Sequence, residues 1–313
     1  FKQACLLVKI LNKGKLKTIN CSITNSNDLG IAALNKSNIE LKETVFVNNN
    51  KAHILVENSS VRVSNCTFEQ SQHAIWIKKN SKVNSGTNTF KYQQGTQIII
   101  QNNSEFYDNS STIISGKGNG IFASKNCKIQ LSNTIIKKHQ LPQIWIQKNS
   151  RLTCINCDIQ DGEETALMIR DHSEASLQHC YVSNHVIANI QVTVESRLHI
   201  ENSQIVNSSG LGVQVKDRSI ANFNKCIFKN SKLSQLFISD ESIASIKECT
   251  IKNGLQIGLF VENDSNCTIV QSTISHHPNT AITICDAELI ILESKIKHNA
   301  GNGILAIQQA TVQ

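Results

Sequence analysis

The chain has no run of 18 consecutive apolar residues among its 313, so no segment reads as a membrane-spanning helix. It also has no charged segment leading into a short apolar core, and no signal peptide is read. Helical patterns of 10 to 15 residues between strand-like segments are missing, which argues against a βαβ sheet. The one C-x-x-C spacing, Cys154 to Cys157, has no second pair behind it. Neither a zinc site nor a redox motif is therefore expected, and no metal or cofactor is assigned.

What the chain does have is a period. Ile75, Ile98, Ile121, Ile144, Leu167, Ile190, Val213, Leu236, Leu259 and Ile282 follow one another every 23 residues without insertion. A period of this length marks a solenoid. Counting each coil from that residue, position 3 is apolar (Ile77, Ile169, Ile238) and position 7 is nearly always serine (Ser81, Ser104, Ser196, Ser219). Positions 9, 11 and 16 are mostly apolar, and position 14 is small or a thiol (Cys157, Cys180, Ser203, Cys226, Cys249). Apolar residues two apart follow the strand period, not the helix period. Ser and Asn at fixed offsets suit the turns between strands, since their side chains bond nearby backbone. Coils of 21 to 22 residues around Leu34/Phe46 and Val56/Phe68 extend the pattern backwards. The expected fold is all-β: a parallel β-helix of about thirteen coils, three strands per coil. An unbroken period argues for a single domain over 1–313. The chain begins with Phe1 and both ends fall within repeats, so it is expected to be a piece of a larger protein.

The segment GLGVQVKDRSIANFNKCIFKN (210–230) resembles the right-handed β-helix repeats of the pectate-lyase superfamily, in the degenerate form of NosD-like and F-box-linked β-helices. The resemblance covers nearly the whole chain. It implies a right-handed coil, but it leaves function open, because lyases, hydrolases, epimerases and inert binders share the scaffold.

Eleven cysteines suggest a disulfide framework until they are placed. Cys157, Cys180, Cys226 and Cys249 occupy position 14, and Cys21 and Cys66 fit the same column, where a thiol acts as a small hydrophobe. All eleven are expected to be free, with only Cys5 and Cys285 accessible, and an odd count of buried thiols points to a reducing, cytoplasmic compartment. Charge is uneven. Residues 1–156 carry 20 Lys/Arg against 7 Asp/Glu, and residues 157–313 carry 11 against 17. The basic residues read as scattered over several turns, without an aromatic RNA-binding signature, so nucleic acid is not the expected partner.

Two groups of residues are candidates for function. Position 2 should point outward, yet it reads Trp76, Ile99, Phe122, Trp145, Met168, Gln191, Gln214, Phe237, Phe260, and it holds both tryptophans and the only methionine. A contiguous apolar stripe of this kind suits an interface. The stripe points to a non-catalytic binding or scaffold module that engages a protein partner or flanking domain, or alternatively a stacked glycan. The second group is a set of charged turn residues, Asp171, His172, Glu195, Asp217 and Arg218, which stacking would bring together. Paired carboxylates with a base could serve glycoside hydrolysis or uronate elimination, and so the alternative function is a carbohydrate-active enzyme, a polysaccharide lyase or glycoside hydrolase. The motifs of polygalacturonases (Asn-Thr-Asp, Asp-Asp, Gly-His-Gly, Arg-Ile-Lys) and the calcium cluster of pectate lyases are not found.

Overall fold

The computed structural model describes residues 6–313. These form an all-β, parallel solenoid of about thirteen coils and three sheets, with no helix among the described residues. Packing divides the chain into two compact units, Phe1–Thr153 and Cys154–Gln313. Each is built from the same coil.

In the first unit a typical coil runs Ile98–Gln101, Glu105–Asn109, Thr112–Ile114. Each strand pairs in parallel with its copy one coil on. Ile98 pairs with Ile121 and Phe106 with Ile129. In the second unit the coil Ala188–Val192, Arg197–Glu201, Gln204–Val206 pairs with its successor in the same register, Ile190 to Val213 and Ile200 to Phe223. The first, second and third strands of the coils build the first, second and third sheets. Positions 1, 3, 9, 11 and 16 point inward. Ile75, Ile77, Ile169, Val192 and Ile238 are completely buried. In the first unit Phe46, Phe68 and Phe90 form an internal stack with ring centroids 4.8 Å apart and planes within 10° of parallel. That spacing equals the distance between neighbouring strands, so the ladder itself sets the aromatic stacking distance.

Two turns carry the polar part of the repeat. Between the first and second strands, two successive residues adopt left-handed backbone, for example Asn102 (φ 56°) and Asn103 (φ 57°) in the first unit and Asp171 (φ 55°) and His172 (φ 59°) in the second. Asn tolerates this region best of the side chains with a Cβ, and its amides also link coils, as where Asn126 Nδ2 donates to Asn103 Oδ1 at 3.1 Å. After this turn comes the position-7 serine, which is buried. Its backbone N–H donates to the hydroxyl of the serine one coil on: Ser59 to Ser81 at 3.2 Å in the first unit, and Ser196 to Ser219 at 3.2 Å and Ser219 to Ser242 at 3.1 Å in the second. In Ser81 the hydroxyl then donates to the Lys78 carbonyl at 2.6 Å. The column thus satisfies a row of buried backbone groups that the ladders leave over.

Position 14 repeats the device. Cys66 N–H donates to Asn88 Oδ1 at 2.8 Å, Cys180 N–H to the Ser203 hydroxyl at 2.9 Å and Cys226 N–H to Cys249 Sγ at 3.4 Å. A thiol there is therefore a weak acceptor as well as a small hydrophobe. All ten described cysteines are free, and Cys5 lies outside the described residues. Burial pushes the Cys66 and Cys127 thiols up, and Cys267 up to about 12, which suppresses the reactive thiolate. One expectation is corrected. Cys21 is exposed, because it leads into the edge strand Ser22–Thr24 of the third sheet, where only one neighbouring coil covers it.

Candidate functional site

Position 2 lies on the outer face of the first sheet, and from Trp76 to Phe260 each of its side chains is half-buried against its neighbours from adjacent coils. In the first unit the row Trp76, Ile99, Phe122, Trp145 is continuous. Trp76 Nε1 donates to Gln101 Oε1 at 3.1 Å, and Lys78 Nζ lies 4.8 Å from the Trp76 ring centre. Phe122 and Trp145 meet edge to face, with centroids 5.3 Å apart. Trp145 Nε1 is shielded from solvent and has no acceptor. An indole N–H in such a position usually finds a partner, so this edge of the row lacks one hydrogen-bond acceptor. In the second unit the row is interrupted. Met168 is followed by Gln191 and Gln214, joined amide to amide at 2.9 Å, and then by Phe237 and Phe260 with ring centroids 5.4 Å apart. Beside Phe260 stands Glu262, whose carboxyl is raised above the ordinary range by burial and by the nearby Asp240 charge.

The charged turn residues all fall in the second unit. Three of the five come together. His172 Nδ1 lies 3.3 Å from Glu195 Oε2, and Arg218 Nη2 lies 2.8 Å from Glu195 Oε1. The imidazole, carboxylate and guanidinium come from three successive coils at the same position of the left-handed turn. Asp171 and Asp217 instead pair within their own coils, with Arg170 at 3.2 Å and Lys216 at 4.0 Å. Glu241, one coil beyond Arg218, makes no ion pair among the described residues. The array is open to water: the His172, Glu195 and Arg218 side chains are 56%, 42% and 62% exposed. Its ion pairs are therefore screened and contribute little to stability. Of the two ring nitrogens of His172, Nδ1 is the one turned toward Glu195. Among the described residues no group of three or more His, Cys, Asp or Glu could hold a metal ion.

A signal that position-by-position reading missed is strain at Val194. It precedes Glu195 and takes φ 54°, a region that β-branched residues avoid.

The sequence profile described as the right handed beta helix region matches residues 7–111, 96–232 and 188–313. The chain belongs to this family. Among solved structures, the right-handed β-helix is shared with the periplasmic alginate epimerase AlgG at a TM-score of 0.64 and 8% identity, covering 96% of this chain and 85% of that one. A double mutant of AlgG gives 0.64 at 10% identity, covering 97% and 84%. The A-module of the Azotobacter vinelandii mannuronan C-5 epimerase AlgE4 gives 0.57 at 9% identity, covering 96% and 91%. No curated protein matches the chain.

At such identities the likeness is one of fold. It nevertheless corrects one expectation. The sequence pointed first to a non-catalytic scaffold for a protein partner, whereas these matching β-helices are enzymes that modify a polysaccharide. The carbohydrate-active alternative is the better supported of the two.

Proposed function

We propose that this β-helix protein binds a linear polysaccharide along the outer face of the first sheet and carries out acid–base chemistry on it. The observation that carries the reading is the row Trp76, Ile99, Phe122, Trp145. Rings and aliphatic side chains recur once per coil, about 4.8 Å apart, which suits sugar rings stacking in succession. Gln101, Gln147 and Lys78 edge the row with groups that bond hydroxyls. The acid–base chemistry is read from the second unit by itself. His172, oriented by Glu195, can take or give a proton through Nε2, and Arg218 can offset the charge of a uronate carboxylate. The likeness of fold to alginate epimerases supports a uronate-containing substrate.

The test is a panel of alginate, polygalacturonate and a neutral β-glucan. Three readouts are followed: unsaturated uronate absorbance, new reducing ends, and exchange of the C5 proton in D2O by NMR. One of the three should respond, and it should drop by about 100-fold or more in His172→Ala and Glu195→Gln, the usual scale for losing a general acid or base. Trp145→Ala should weaken polymer binding roughly tenfold, about 1.4 kcal/mol, while its melting temperature holds. Blank readouts with every polymer, or unchanged binding in Trp145→Ala, would sink the reading.

A further inference from the structure

We infer that the outward face of the second sheet in the first unit is a docking track for a linear polysaccharide bearing carboxylate or sulfate groups. The track rests on the polysaccharide reading and adds to it a second contact surface, for the polymer's acidic groups, on a different sheet from the aromatic row. Seven outward side chains on this face are cationic: Lys15, Lys17, Lys42, Arg62, Lys82, Lys128 and Arg151. Two are anionic, Glu40 and Glu105. Each carboxylate stands between two cations in its column and can neutralise only one of them. Glu40 sits between Lys17 and Arg62 and reaches Lys17 at 3.6 Å, and Glu105 sits between Lys82 and Lys128 and reaches Lys82 at 3.5 Å. Among the described residues no carboxylate lies within ion-pair distance of Lys15, Arg62 or Lys128.

The scaffold does not demand this excess. The same face of the second unit, over the strands from Glu174–Gln178 to Glu288–Leu292, carries Arg197 and Lys247 against Glu174, Glu201 and Glu288. Positive charge on the first unit's face is also held in place. Lys82 Nζ and Lys128 Nζ lie 4.5 Å and 5.7 Å from the Tyr107 ring centre, one from each neighbouring coil, where the ring's negative face attracts them.

Polar groups fit a sugar between these charges. A hollow of about 480 Å³ on this face is lined by Lys15, Lys17, Asn38, Ser60, Arg62 and Asn84, with Glu40 beside them. Arg62 offers a planar fork for a carboxylate or sulfate, and the amides and hydroxyl offer partners for ring hydroxyls. Nucleic acid fits less well. Single strands need successive aromatic platforms, and Tyr107 is the one ring here, with its faces taken by lysines. A flat sheet face also presents nothing that enters a duplex groove.

Binding to polygalacturonate, dextran sulfate, a neutral β-glucan and single-stranded DNA, measured by calorimetry at low and moderate salt, tests the track. The intact chain should bind both acidic polymers, and more weakly as salt rises. The variant Lys15→Ala/Arg62→Ala/Lys82→Ala/Lys128→Ala alters only outward side chains and should melt like the parent. It should bind the acidic polymers at least about tenfold more weakly and with a flatter salt dependence, because fewer counterions are exchanged. Equal affinity of variant and parent overturns the track. So does binding confined to DNA, or a self-association that the variant abolishes, which would give the face to a second copy. Trp145→Ala separates the two readings. If it binds normally while the quadruple variant fails, the track stands and the aromatic platform falls; the opposite pattern removes the track and keeps the platform.

Discussion

Val194 shows how a single residue can run against its own column. The turn between the first and second strands asks for two left-handed residues, and its first position holds Asn102, Asp217, Asp240 and Asn263, all at φ between 54° and 58°. Val194 sits there at φ 54° with two branches on Cβ, a conformation that costs roughly 1–2 kcal/mol in an ordinary L-residue. The next residue is Glu195, the centre of the His172–Glu195–Arg218 array. Restoring the column with Val194→Asn should stabilise the protein by about 1 kcal/mol, seen as a raised melting temperature. A lower one would mean that the half-buried valine side chain packs well enough to offset its backbone. Had the turn been purely structural, asparagine would have been the cheaper residue. The pairing of His172 with Glu195 and Arg218 was legible in the sequence because a fixed period converts sequence spacing into spatial neighbours. The strain at Val194 was not, because it depends on a dihedral that only the folded turn reveals.

At the level of the strand and its turn, the serine column explains why position 7 varies so little. Ser219 accepts the Ser196 N–H, and its own N–H goes to Ser242. Ser219→Ala removes the acceptor and leaves a buried N–H unsatisfied, costing about 1–3 kcal/mol. Ser219→Cys should cost less, since Cys127 already occupies this position and donates its thiol to the Ser124 carbonyl at 3.2 Å. Chemical denaturation of both variants checks the order, and equal losses would show that volume rather than hydrogen bonding fixes the residue. The inward columns were read correctly because the two-residue alternation is a direct image of the pleat. The outward faces were harder. The lysines of the second sheet looked scattered in sequence, since Lys15, Arg62, Lys82 and Lys128 fall at two different positions of their coils. Both positions read as ordinary exposed columns, and stacking them on one face is what brings out the excess of cations. Cys21 was misplaced for a related reason: its column is inward, but burial also needs a coil on each side.

Taken as a molecule, the chain keeps a set of imidazoles inside its solenoid, and glycines make room for them. In the first unit a Cβ on Gly116 would come within 2.9 Å of His139 Cδ2, and in the second a Cβ on Gly254 would come within 2.9 Å of His277 Nδ1. His139 pairs through Nδ1 with Gln143 and through Nε2 with the Gln97 amide at 2.9 Å, and His185 Nδ1 lies 3.1 Å from Asn189 Oδ1. These partners are neutral, and only His185 also feels a carboxylate, Asp161, whose charge works against the lowering. Burial lowers His53 to about 3 and His139 and His185 to about 4, from 6.5. The unfolded chain therefore binds protons that the folded chain refuses once the pH drops below 6.5. Their contribution to stability is complete above that value and is lost as the pH falls toward the folded values. At pH 5 each ring has forfeited roughly 2 kcal/mol, so His53 and His139 together withdraw roughly 4 kcal/mol from the first unit. Ordinary carboxylates have barely begun to titrate there, which isolates the histidine effect. Thermal melts between pH 7 and pH 5 should fall steeply, and His139→Gln should flatten the slope even if it lowers the melting temperature at pH 7. A melting temperature that stays level to pH 5 would mean that the rings gain water or a counter-charge on protonation, and that the interior of the coil is less dry than its packing shows.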